Sequence, residues 1–131
     1  MKHKVQFLDE LIKFNFHVND FAVFGSGPMA ANGIYTNCDI DIIVTRKLWD
    51  NLKINYHYNK EKDFVTLNDH IDAYNDWWGY DIEKLIKEAD IIFGIRFVKL
   101  ETVLEWKKIR NSDKDKKHIK LIEDYIRKIH K

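Results

Sequence analysis

The chain has 131 residues, the size of one domain, and its 45% apolar and 14% aromatic content supplies a core, which excludes a disordered chain. Lys plus Arg (22) nearly balances Asp plus Glu (21), and the formal net charge of +1 argues against a dedicated nucleic-acid coat and against long duplex nucleic acid as a partner. No apolar run approaches the roughly 20 residues of a membrane span, no secretory cleavage pattern follows Met1-Lys2-His3-Lys4, and the single cysteine, Cys38, excludes an internal disulfide, so a cytoplasmic protein with no membrane partner is expected.

In chain order, Val5, Leu8, Leu11, Ile12, Phe14 and Phe16 recur near helical spacing and predict an opening helix over residues 2–16. The run Phe21-Ala22-Val23-Phe24, stopped by Gly25, predicts a buried strand. Ser26-Gly27-Pro28 predicts a helix start with proline at the first helical position and Gly33 as its stop. Residues 39–44 form the clearest strand pattern, followed by a helix over 46–53. Residues 64–67 and 70–74 predict a strand pair joined near Asn68-Asp69. Asp81 caps a helix running to Glu88, and residues 91–98, broken by Gly94, read as short extended pieces. From Glu101 onward two helical segments meet near Asn111-Ser112-Asp113. Strands interleaved with helices predict one layered α/β (α+β) domain, a small mixed sheet flanked by helices with a helical C-terminal tail.

Two stretches carry chemistry. Side chains alternate across a strand, so Asp39 and Asp41 share one face while Ile40 and Ile42 take the other. Two carboxylates this close repel unless a cation neutralises them, and a hard ion such as Mg²⁺ suits oxygen ligands. Upstream, a strand ending in Gly25-Ser26-Gly27 before a helix start offers backbone N–H groups and the Ser26 hydroxyl to phosphate oxygens. An anion cradle beside paired acids is a site for a metal-bound polyphosphate.

A glycine-serine turn at a strand end, 12 intervening residues, and then Asp39-Ile40-Asp41-Ile42 resembles the signature of the DNA polymerase beta-like nucleotidyltransferase superfamily, particularly its short stand-alone bacterial members. The resemblance implies the nucleotidyltransferase fold. It also implies Mg²⁺-dependent transfer of a nucleoside monophosphate from a nucleoside triphosphate such as ATP to a hydroxyl acceptor. Asp39 and Asp41 would hold two Mg²⁺ ions, and Gly25 and Ser26 would hold the phosphates. A third acid on a later strand would complete the site and activate the acceptor. Asp72, in the strand-like run Ile71-Asp72-Ala73, is the choice for that acid, with Asp69 and Asp76 as its competitors. The tail Val98 to Ile119 is similar to that of small nucleotidyltransferases, where a lysine and an arginine precede a Lys-Asp pair. Lys107, Arg110 and Lys114 are thereby expected either at nucleotide phosphate or in pairs with Asp115. Gly27-Pro28 directly after the serine departs from the better-known enzymes.

Other features point less sharply. The six histidines form no metal-ligand spacing, and His70 is expected on the strand face of Asp72. Trp77, Trp78 and Tyr80 offer base-stacking rings or ordinary packing, and Cys38 reads as a small buried residue. The acceptor is left open among a small molecule, a protein and an RNA end. Three rival readings stand beside transfer: a non-catalytic nucleotide- or partner-binding protein on the same fold, a toxin–antitoxin-type nucleotidyltransferase, and a scaffold with no ligand.

Overall fold

The computed structural model describes residues 5–130. Among these residues six helices and seven strands follow one another as α1 (Leu8–Lys13), β1 (Phe21–Phe24), α2 (Gly27–Ala31), β2 (Ile40–Val44), α3 (Arg46–Asn55), β3 (His57–Asn59), β4 (Phe64–Asn68), β5 (Ile71–Tyr74), α4 (Ile82–Glu88), β6 (Asp90–Ile92), β7 (Ile95–Phe97), α5 (Leu100–Arg110) and α6 (Asp113–Ile129), with a 3₁₀ turn over Val18–Asp20 leading into β1. The strands form one mixed sheet in the order β3-β4-β5-β2-β1-β7-β6, so the predicted α+β architecture holds. Among the described residues no helix is long and apolar enough to cross a membrane.

The sheet is oily on both faces because the central strands β1 and β2 are buried on both sides. Phe21, Val23, Ile40, Ile42, Val44, Val65, Ile71 and Ala73 join Leu11 of α1 and Trp49 and Leu52 of α3 in one core. Ala22, Phe24 and Ile43 face the other way and meet Met29, Ile82, Leu85, Ile86, Val103, Trp106 and Ile122 from α2, α4, α5 and α6. The alternation follows from the two-residue period of a strand.

Local signals set most of the helix ends. Thr45 caps α3 by accepting from Leu48 N, and Asp81 caps α4 by accepting from Lys84 N. At α6, Ser112 and Asp115 form a reciprocal capping box, each side chain taking the other's backbone N–H. Asn111, in the left-handed region (φ 51°), separates α5 from α6 where the sequence pattern puts the break.

Three expectations change. The opening helix is two turns, not residues 2–16: Phe7 (φ 66°) and Asn15 (φ 58°) both leave helical geometry, so Phe14 and Phe16 pack from irregular backbone, and residues 2–4 lie outside the described residues. Strand β3, which the sequence does not announce, pairs antiparallel with β4 and makes the sheet edge. Cys38 is exposed rather than buried, because the backbone turns there on its way into β2.

Candidate nucleotide and metal site

Register across four strands builds the acidic part of the site. β2 runs antiparallel to β1 with Phe24 opposite Asp41, and parallel to β5 with Asp41 opposite Asp72. β4 continues the row with Thr66 opposite Asp72. Side chains opposite one another in register share a sheet face, so Phe24, Asp41, Asp72 and Thr66 form a row across the sheet. Asp41 and Asp72 are half-buried neighbours, whereas Asp39 sits in the bend before β2 with an exposed side chain.

The backbone leading to Asp39 is pinned by Asn37, which is 2% exposed. Its side chain accepts from Gln6 N (2.7 Å) and donates to Gln6 O (3.1 Å) and Asp39 O (2.9 Å). A single asparagine in an irregular stretch has no periodic signature, and the sequence pattern does not single it out.

Gly25 ends β1 in the left-handed region (φ 64°), and a Cβ placed on it would stand 3.2 Å from Asp41 Oδ2. The glycine turn and the acid strand are therefore in direct apposition. Ser26 begins α2 without a side-chain cap bond, which leaves its hydroxyl uncommitted to the helix. The unusual Gly27-Pro28 has a packing cause: a Cβ at Gly27 would run into Val23 Cγ1, so glycine lets α2 lie directly on β1.

Charge in this region is crowded. Burial, then the charges of Asp39 and Asp72, push Asp41 up to about 7, while Arg110 and Lys114 pull it the other way. Burial also raises Asp72, opposed by a hydrogen bond from Thr66 and reinforced by Asp39. Such a set of all-oxygen donors, mutually repelling and partly withdrawn from water, fits a hard divalent cation. Mg²⁺ takes one or two protein carboxylates and fills its other positions with water and phosphate oxygen. Among the described residues, no three His, Cys, Asp or Glu side chains gather as a ready-made metal cage.

The C-terminal residues divide. Lys107 is buried (1% exposed), and its ammonium donates to His118 Nδ1 (2.9 Å) and lies 3.6 Å from Asp115 Oδ1. Burial and the neighbouring Arg110 lower Lys107 to about 8, with Asp115 opposing. Arg110 grips Asp115 with two hydrogen bonds (Nε to Oδ2 2.8 Å, Nη2 to Oδ1 2.6 Å) and lies over the Trp106 ring at 4.2 Å. Both residues thus make the Asp115 pairing that was one of the two sequence expectations. Lys114 is exposed.

Beside Asp41 opens a cleft of about 310 Å³. Tyr74, Trp77, Trp78 and Trp106 give it an aromatic wall, Lys62 and Arg110 bring positive charge, and Asp63 and Asp76 complete the lining. Of the residues singled out from sequence, Asp41, Arg110, Trp77 and Trp78 line this cleft, as does Asp76, one of the two alternatives to Asp72, whereas Asp72 itself is not part of the lining. Asp69 lies exposed in the turn between β4 and β5. His70 is drawn elsewhere: its ring stacks on Phe7 (3.7 Å between centroids) and its Nδ1 meets Glu10 Oε1 at 3.1 Å. Lys62 has no sequence signal beyond a short charged run, because the hairpin that presents it depends on the unforeseen β3.

No protein-family model matches the chain, and neither the curated proteins nor the solved structures give a significant match.

Proposed function

We propose that the protein is a Mg²⁺-dependent nucleotidyltransferase of the cytoplasm, moving a nucleoside monophosphate from a nucleoside triphosphate to a hydroxyl acceptor. The observation that carries the reading is the register of Asp41 against Asp72, with the Gly25 turn closed on the Asp41 carboxylate.

The acceptor oxygen would form a bond to the α-phosphorus as the bond to the pyrophosphate oxygen breaks, and pyrophosphate would leave. Asp41 and Asp72, with Asp39 beside them, would hold the metal. Bound there, Mg²⁺ would neutralise the carboxylates and stabilise charge on the attacking and leaving oxygens. Asp72, opposite Asp41 in register, would take the acceptor proton as general base. Ser26 and the backbone around Gly25 would donate to the β- and γ-phosphates. Arg110, held by Asp115 and Trp106, would place a fixed positive charge in the cleft.

A second reading keeps nucleotide binding without transfer. It draws on the exposed Asp39, which does not join Asp41 and Asp72 in a compact three-ligand group. Calorimetric titration of Mg-ATP into the wild type and into the Asp39→Asn/Asp41→Asn double variant tests the site. Magnesium-dependent binding that the double substitution leaves unchanged refutes both readings. Incubation with labelled triphosphate and candidate acceptors then separates transfer from binding alone.

A further inference from the structure

Trp77, Trp78 and Tyr80 look alike in sequence as candidate stacking rings, but the fold gives them different tasks. Trp77 is core: it stacks on Phe24 (4.7 Å) and packs against Tyr74 and Trp106. Tyr80 donates its hydroxyl to Glu105 Oε1 (2.7 Å) and leans on Phe24. Trp78 makes no ring contact with another aromatic side chain of the described residues and is 58% exposed, yet it lines the cleft that holds Asp41 and Arg110.

Its backbone sharpens the point. The turn is closed by Tyr80 N donating to Trp77 O (3.0 Å), and both central residues, Trp78 (φ 54°) and Gly79 (φ 78°), are left-handed. Turns of this kind favour Asn, Asp or Gly at the first central position, because a bulky L-residue is strained there. A tryptophan in that place serves neither the turn nor the core. What it does supply is an open indole in the lining of a cleft that Asp41 and Arg110 also line. Because Asp63 and Asp76 also line it beside Lys62 and Arg110, a phosphate-bearing ligand would enter this cleft as its Mg²⁺ complex, with a planar ring for the indole.

We infer that Trp78 is the stacking platform for the base of the nucleoside triphosphate, which lies in the cleft between Trp78 and Arg110. The inference rests on the nucleotide reading above and adds the residue that holds the base. Stacking is tolerant of base identity because every base has a π-face, so Trp78 gives affinity and leaves base choice to other contacts.

The test compares Mg-ATP with inorganic tripolyphosphate, which has the charge but no base, by calorimetric titration without acceptor. Wild type binds Mg-ATP more tightly than magnesium tripolyphosphate. Trp78→Ala weakens Mg-ATP about tenfold and leaves tripolyphosphate unchanged, which also shows that the variant is folded, while Trp78→Phe retains most of the ATP affinity. Equal affinity of the wild type for the two probes, or unaltered Mg-ATP binding in Trp78→Ala, overturns the base platform and leaves the phosphate site standing. Failure of both probes to bind the wild type overturns the nucleotide site and the platform together.

Discussion

The Asp41 carboxylate lies against the backbone of Gly25, so near that a Cβ on the glycine would stand 3.2 Å from Asp41 Oδ2. The position is also left-handed (φ 64°), where an L-residue is strained. Gly25→Ala is expected to lower stability by about 1–2 kcal/mol and to weaken Mg-ATP binding by displacing the carboxylate. Urea denaturation and calorimetry measure the two effects; a variant as stable as the wild type contradicts the argument.

Gly27 and Val23 are expected to be energetically coupled. Gly27→Ala drives its new methyl into Val23 Cγ1, a buried contact costing roughly 1–3 kcal/mol. With Val23→Ala the nearest Val23 atom to that methyl would be Cβ, at the ordinary distance of 3.6 Å. The double variant should therefore be more stable than the sum of the two single losses predicts, as a double-mutant cycle in urea would reveal. Strict additivity would refute the contact.

Asp115 is fully buried and holds two cations while capping α6. Burial alone would raise it, but hydrogen bonds from Arg110 and Ser112 hold its carboxyl well below the usual range. Asp115→Asn leaves the buried Lys107 ammonium without a counter-charge and is expected to cost about 3–5 kcal/mol. Lys107→Met, which removes a cation and keeps the stem volume, should cost clearly less. Equal losses in equilibrium unfolding would mean that charge compensation is not what Asp115 provides.

His118 sets an acid limit. Burial first, then Lys107 and Lys114, lower it to about 4 from its ordinary value of 6.5. The unfolded chain therefore binds a proton that the folded chain resists. The resulting stability is fully present above about 6.5 and is lost as pH falls toward 4. His118→Asn keeps an acceptor for Lys107 and does not titrate; it should be less stable than wild type at pH 7 but flatter between pH 6.5 and 4. Denaturation midpoints against pH would show this, and parallel curves for the two proteins would contradict it.

Much of the fold is legible from local pattern. The alternation of Asp39 and Asp41 with Ile40 and Ile42 sorts acids from core before any partner strand is known, and Ile40 and Ile42 do enter the core under α1 and α3. Asp81 and Ser112 mark helix starts through hydrogen bonds to backbone only three residues away. Gly25 ends its strand because the left-handed turn is a property of one residue. Periodicity, caps and turns act over a few residues, so the chain carries them in plain order.

Pairing between distant strands and the division of buried space do not act over a few residues. Asp72 stands opposite Asp41 because β5 joins β2 in parallel register, a relation between segments some thirty residues apart. Lys107 vanishes into the core while Lys114 stays in water, and Trp77 is buried while its neighbour Trp78 is exposed, although each pair is alike in composition. Burial depends on which helix or strand comes to lie overhead, and β3 exists only because β4 offers it an edge. The sequence by itself determined which residue types are set in alternation and where the backbone turns. Only the tertiary structure decided which carboxylates and cations meet, because long-range register and packing, not local preference, place those charges.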